Sequence, residues 1–235
     1  MARHSRFLSN ENIYHIVLKG INGNTLFFDD KDFSSFIMHF KEACVDYDIK
    51  IIAFCLMSNH VHFILKFSDN NMADMFKSFG AKYVPKYNAY HSRTGPLFNG
   101  RYYSSPINDD EYLFAALRYI HYNPVSAGIC DSPSEYRWSS YNEYITHSGE
   151  ITDRDYLESI INDDEFGMIH TLNDEALLSI FVENSRVFHP SYSELEKFVD
   201  SHADMDFGAM KDILKNCGAS KTKISKLLNI DKRKI

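Results

Sequence analysis

Residues 49–67 read IKIIAFCLMSNHVHFILKF, two apolar runs joined by the pair Ser58-Asn59. Each run is rich in β-branched and aromatic residues and has the length of a strand rather than a helix. Because only two residues separate the runs, we expect them to pair as an antiparallel hairpin. The stretch predicts the centre of a β-sheet.

Further elements flank this hairpin on both sides. Upstream, residues 13–20 alternate as a strand does, and apolar residues recur at helical spacing after a cap at Asp30 or Asp32. Downstream, the pattern predicts a helix over residues 71–90 kinked at Pro85, a strand over 97–107, and a helix from Asp109 or Asp110 that Pro124 ends near Asn123. The order βαββαβα predicts an α+β domain with helices packed against an antiparallel sheet.

Charge is spread unevenly along the 235 residues, whose net charge is −7. Residues 1–149 carry −1, residues 150–210 carry −12 and residues 211–235 carry +6. We predict a motif-bearing domain over residues 1–145, an acidic helical region over 146–206 and a basic helical tail over 207–235, so that the C-terminal part is all-α. The tail fits either a partial helix-turn-helix or a basic amphipathic segment, and both interpretations stay open.

Composition excludes several classes of protein. A hydrophobic content of 44% is too high for a disordered chain, and no long uncharged apolar run is present, so we expect no membrane span. The first residues meet Asn10 and Glu11 before an apolar segment forms, which argues against a secretory signal. The four cysteines lack CxxC spacing and fit buried, reduced thiols. We therefore expect a cytoplasmic protein.

One stretch is basic and contains no carboxylate. Between residues 75 and 108, lysines and arginines alternate with tyrosines, a pattern suited to tracking phosphates and stacking on unpaired bases. A solvated helix face with tyrosines in the core explains the same pattern equally well. The candidate nucleic-acid contacts are Lys82, Lys86, Tyr83, Tyr87, Arg93 and Arg101.

The sharpest local feature is His60-Val61-His62. On a strand, residues two apart share a face, so both imidazoles project the same way and form half of a metal site. A pair of packed histidines is the alternative. The helix after residue 110 offers Asn123 as a third ligand, with Tyr119 four residues earlier on the same face. His121 lies about 200° around the helix from Tyr119 and is the poorer ligand.

The predicted ligand types indicate which metal this site would hold. An amide oxygen favours Mg²⁺ or Mn²⁺, and two imidazoles shift the preference toward Mn²⁺. Without the histidines, Asn123-Pro124 would be interpreted as a helix stop and Tyr119 as a core aromatic.

Several motifs in order carry a family resemblance. They are GINGNTLFFDD (20–30), AFCLMSNHVHFIL (53–65), RTGPLFNGRYYSS (93–105), LRYIHYNPVSAGI (117–129) and YRWSSY (136–141). Together they resemble the single-tyrosine HUH transposases, in particular the REP-associated tyrosine transposases with their IS200-like domain. The resemblance covers about residues 1–145.

This resemblance implies a ferredoxin-like α+β fold, the HUH endonuclease fold, and an enzyme that cuts and joins single-stranded DNA beside a hairpin during DNA transposition. It implies His60 and His62 as metal ligands, Tyr119 as the nucleophile and Asn123 as the residue that completes the metal site. The cofactor would be Mg²⁺ or Mn²⁺. The partner would be single-stranded or hairpin DNA, so the cytoplasmic protein would associate with the nucleoid when bound.

Two other functions stay open. One is a non-catalytic DNA- or RNA-binding regulator on a transposase scaffold. The other is a hydrolytic zinc enzyme, which the absence of a third nearby His or Cys and of HExxH spacing disfavours. The sequence leaves the choice between monomer and dimer open.

Overall fold

A computed structural model describes residues 9–69, 71–171, 199–200, 206–216 and 221–231. The chain divides into two compact units, Met1–Thr171 and Leu172–Ile235. The domain limit predicted after residue 145 does not coincide with this division, because helices between residues 154 and 171 pack on the sheet and its covering helix.

The first unit follows the predicted order of strands and helices. Its elements are β1 (Ile13–Lys19), α1 (Asp30–Asp46), β2 (Ile49–Met57), β3 (His60–Phe67), α2 (Met72–Tyr90), β4 (Tyr103–Ile107), α3 (Asp110–Ser126), α4 (Tyr141–Thr146), α5 (Arg154–Glu158) and α6 (Asp163–Thr171). Asp109 caps α3 as predicted, whereas α1 is capped by Asp29 rather than by Asp30 or Asp32.

The four strands form one antiparallel sheet in the order β2-β3-β1-β4. This order, with a helix after β1 and another after β3, confirms the ferredoxin-like α+β fold. Strand β4 is shorter than predicted and starts at Tyr103. Residues before it form a loop, in which Asn99 N–H donates to the Lys19 carbonyl and Gly100 has a φ of +71°.

One face of the sheet packs against α1 and α2 through aromatic rings. Phe40 of α1 stacks on Phe63 of β3 with ring centroids 4.1 Å apart, and Phe36 meets Phe79 of α2 edge-on at 5.3 Å. All four side chains are buried. This aromatic layer forms the core between the sheet and the two helices.

The opposite face lies under α3. The prediction that Pro124 ends this helix near Asn123 is wrong, since the helix continues to Ser126. Proline removes only its own N–H, so the next turn still forms. Ala127 N–H donates to the Asn123 carbonyl at 3.0 Å. The helix stops where Gly128 adopts a φ of +69°. Helix α2 also contains a proline, Pro85, and continues past it to Tyr90, the predicted end.

The YRWSSY motif covers the outer edge of β2. Leu56 N–H donates to the Trp138 carbonyl at 2.8 Å, and Ser140 N–H donates to the Phe54 carbonyl at 3.0 Å. The Trp138 ring stacks on Phe33 of α1 with centroids 4.7 Å apart. The motif therefore satisfies strand groups that an exposed edge would leave unpaired.

The second unit contains α7 (Phe207–Asn216) and α8 (Lys221–Leu227), which lie within the predicted basic helical tail. Met210, Leu214 and Ile224 are buried in it. Within the described part of the chain, no helix is both long and apolar enough to cross a membrane.

Candidate active site

His60 and His62 share one face of β3, as the two-residue spacing predicts. In the sheet register, His60 lies opposite Lys19 of β1, and His62 lies opposite Val17. The two imidazole centroids are 4.9 Å apart. Because α1 and α2 occupy the other face, both rings point toward α3.

Helix α3 brings the other two predicted residues to these histidines. The Tyr119 ring meets the His62 ring edge-on with centroids 5.5 Å apart. Asn123, one turn later, donates from its side chain to the Tyr119 carbonyl at 3.2 Å and shares a side-chain hydrogen bond with His60. The structure therefore brings together all four residues, from two segments more than fifty positions apart.

His121 is directed away from this group, as predicted. Its side chain is fully buried and is hydrogen-bonded to His170 of α6 and to Ser140, both at 2.8 Å. Burial and the neighbouring His170 hold the pKa of His121 well below its usual range. His121 fastens α6 to α3 and takes no part in the site.

Burial keeps the site histidines neutral. It lowers the pKa of His60 to about 4, an effect that the Lys19 charge reinforces and the hydrogen bond with Asn123 opposes. It also holds the pKa of His62 well below the usual range, with smaller contributions from His60, His15 and Lys19. Neutral imidazoles keep a lone pair, which a metal ligand requires.

One observation in particular supports a divalent cation at the His60, His62 and Asn123 side chains. The Nε2 atom of His62 is buried and has no hydrogen-bond partner within the described structure. No group of three or more His, Cys, Asp or Glu side chains in the described residues is arranged to hold a metal. A cation here would therefore need the Asn123 amide or a bound substrate to supply further ligands.

The tyrosines predicted to stack on bases do not reach the surface. Tyr83 and Tyr87 are 1% and 4% exposed, and the Tyr83 ring stacks on Phe79 with centroids 5.3 Å apart. Burial raises the pKa of both hydroxyls. Their assignment as nucleic-acid contacts is wrong, because the face of α2 that carries them packs into the core.

The cations of the same stretch lie at the surface. Lys82 pairs with Asp46 at 2.7 Å, and Lys86 contacts His39 at 2.8 Å. Arg93 donates to the Pro96 carbonyl, and Arg101 is exposed. Lys82 is the least suited of the four to a phosphate, since a carboxylate already neutralises it.

Two residues near the site, Lys19 and His15, were missed from the sequence, which indicates Tyr103 only as one tyrosine of the basic stretch. Lys19 faces His60, and Tyr103 of β4 lies opposite Val17 on the face that carries His62. Tyr103 is 41% exposed. His15 of β1 is hydrogen-bonded to His62. The alternation of β1 was visible in the sequence, but its register against β3 and β4 was not.

A ferredoxin-like sheet with a His-x-His pair on an inner strand, and a tyrosine on the helix that covers it, is the arrangement of the single-tyrosine HUH proteins. Residues 9–123, just under half of the chain, match the family described as "Transposase IS200 like".

Two known proteins show the extent of the likeness. A Haemophilus influenzae protein assigned to the REP-associated tyrosine transposases is 26% identical over 114 residues, which cover 44% of this chain and 65% of the relative. The match thus spans just under two thirds of that protein. A solved REP-associated tyrosine transposase bound to a REP hairpin superposes with a TM-score of 0.54 at 14% identity, over 65% of this chain and 94% of the other. This second match supports the fold.

Proposed function

We propose that this protein cuts and rejoins single-stranded DNA beside hairpin sequences in a metal-dependent reaction of DNA transposition. The observation that carries the proposal is the convergence of Tyr119, His60, His62 and Asn123 on one face of the sheet. The family match of residues 9–123 and the hairpin-bound relative support it.

Tyr119 is the proposed nucleophile. Its hydroxyl oxygen attacks the scissile phosphorus, the bond from phosphorus to the 3′-oxygen breaks, and the hydroxyl proton ends on that 3′-oxygen. The products are a 5′-phosphotyrosine and a free 3′-hydroxyl. Since the phosphodiester energy is kept in the new bond, attack by another 3′-hydroxyl joins strands without ATP.

His60, His62 and Asn123 would hold the divalent cation, Mg²⁺ or Mn²⁺. When bound, such a cation polarises the phosphate and lowers the barrier to attack by a weak nucleophile. The Asn123 hydrogen bond to the Tyr119 carbonyl ties the amide to the helix turn that carries the nucleophile. One short segment of α3 thus positions both groups.

The DNA would cross the face of the sheet next to these residues. Lys19, opposite His60, is placed to contact a phosphate, and the exposed ring of Tyr103 offers a stacking surface two strands away from His62. Arg101, Arg93 and Lys86 extend the cationic surface. These groups replace Tyr83 and Tyr87 as the proposed nucleic-acid contacts.

The proposal is tested with an end-labelled oligonucleotide that carries a hairpin and a single-stranded flank, taken from repeats beside the gene. With Mn²⁺ or Mg²⁺ the protein should form a covalent adduct that survives a denaturing gel. Tyr119→Phe should form none, and His60→Ala or His62→Ala should lose metal-dependent cleavage while keeping most DNA binding.

Tyr83→Phe and Tyr87→Phe are the matched controls. Both hydroxyls are buried, and that of Tyr83 has no hydrogen-bond partner in the described structure, so their removal should cost little stability and leave the adduct intact. An adduct that persists in Tyr119→Phe and maps to another tyrosine would refute the assignment. A wild-type protein that binds the hairpin but forms no adduct with either metal would favour the non-catalytic regulator.

A further inference from the structure

His15 and His62 form a buried pair beside the proposed metal site. His15 Nε2 lies 3.1 Å from His62 Nδ1, and each side chain is only 5% exposed. In a neutral imidazole one ring nitrogen carries the hydrogen and the other carries the lone pair. The hydrogen between them belongs to one ring or to the other.

The surroundings of His62 distinguish these two arrangements. If His15 is the donor, His62 carries its hydrogen on Nε2, which is buried without an acceptor in the described structure. If His62 donates from Nδ1, its Nε2 instead presents a lone pair. A cation can satisfy a lone pair but not an N–H, so only the second arrangement resolves the unpaired atom.

The neighbouring ligand candidate shows the same pattern. His60 Nδ1 lies 2.7 Å from Asn59 Oδ1, while the Asn59 amide nitrogen is directed at the Gly23 carbonyl. A carbonyl oxygen can only accept, so His60 donates from Nδ1 and carries its lone pair on Nε2. Different elements thus hold the two rings in one tautomer.

We propose that His15 is a positioning residue for the metal site: it accepts the Nδ1 hydrogen of His62 and so directs the His62 Nε2 lone pair at the cation. This role rests on the proposed function, because the cation is the one that the HUH pair would hold. His15 touches neither DNA nor metal in this scheme. It acts through His62, as partners behind ligating histidines commonly do.

The test measures binding of Mn²⁺ alone to the full chain, from the loss of the free-ion electron paramagnetic resonance signal. His15→Leu should weaken affinity by about 10- to 100-fold, the usual effect of losing such a partner. His15→Gln, whose amide oxygen can accept the same hydrogen, should restore most of it. In the metal-free wild type, long-range ¹H–¹⁵N spectra should show His62 protonated at Nδ1.

His170→Gln is the matched control, since His170 is also a buried, neutral histidine paired with another histidine but lies outside the site. It should leave Mn²⁺ affinity unchanged. The proposal would be overturned if His15→Leu and His15→Gln both bound Mn²⁺ with wild-type affinity, or if both weakened it equally. It would also be overturned if the spectra showed His62 protonated at Nε2. Because metal affinity is the measurement, a wild type that binds Mn²⁺ but forms no DNA adduct would refute the proposed function and leave this role standing.

Discussion

Tyrosines that look alike in the sequence differ completely in what their rings contact. Tyr83 and Tyr87 alternate with lysines on α2, yet their rings pack against the aromatic core. Tyr103 has no basic neighbour four residues away, but strand pairing places it opposite Val17, on the face of the sheet that carries His62. Adjacent strands are about 4.8 Å apart, so Tyr103 lies roughly 10 Å from His62.

We predict that Tyr103→Ala weakens single-stranded DNA binding by about 1–3 kcal/mol, the usual loss of one base-stacking ring. The measurement is fluorescence anisotropy of a labelled strand, in a Tyr119→Phe background that prevents cleavage. Phe28→Ala is the control, because Phe28 is 68% exposed but precedes two carboxylates and contacts His91 at the end of α2. Equal losses in the two variants would show that exposure alone, not the site face, decides binding.

Local spacing predicted most of the candidate site. The pairs His60–His62 and Tyr119–Asn123 are separated by two residues on a strand and four on a helix, so each pair could be identified within its own element. His15 lies 47 positions from His62, and their contact depends on strand register. Register follows from packing of the whole sheet, which local patterns do not contain.

At the scale of elements, the hairpin β2–β3 has the bounds that the sequence predicts, because apolar runs and a two-residue turn specify it locally. The ends of β4 and α3 were predicted less well. Strand β4 is cut short by a loop held to β1, and α3 passes Pro124 because its last turn finds other donors. Both ends depend on hydrogen bonds that a periodicity does not encode.

The loop after β1 offers an element-scale prediction at Gly20. Its N–H donates to the Asn59 carbonyl at 2.8 Å, and a Cβ there would lie 2.2 Å from the Asn24 backbone oxygen. Gly20→Ala must therefore displace backbone next to the turn that precedes His60. We expect a loss of about 1–3 kcal/mol in the free energy of unfolding, measured by urea titration.

Gly80→Ala is the matched control within α2. A Cβ at Gly80 meets no atom within 4 Å, and glycine inside a helix costs about 0.5–1 kcal/mol relative to alanine. This variant should raise the free energy of unfolding by about that amount. If Gly20→Ala is also neutral or stabilising, the close approach of this loop to Asn24 does not persist in solution.

At the scale of the whole molecule, net charge differs strongly between segments of the chain. Residues 1–149, which include the site, carry −1, residues 150–210 carry −12, and the last 25 residues carry +6. The described part of that tail has a buried apolar side on both helices, at Met210, Leu214 and Ile224. Within the described part, the two helices pack against each other and Lys226 is exposed.

If the tail contacts DNA, its contribution should appear in the salt dependence of binding. Each phosphate neutralised by a lysine changes the slope of log K against log salt by about 0.7 for single strands and 0.9 for duplex. Replacing the three lysines of α8 by glutamine, a good helix former, should lower the slope on hairpin DNA by up to about 2–3. The helix stays intact and only charge is lost, unlike deletion of residues 211–235, which would cut α7. The control replaces three lysines of the first unit by glutamine, namely Lys31, Lys41 and Lys50. It removes the same charge and should leave the slope unchanged. Identical slopes for the wild type and the α8 variant would show that DNA binding belongs to the first unit alone.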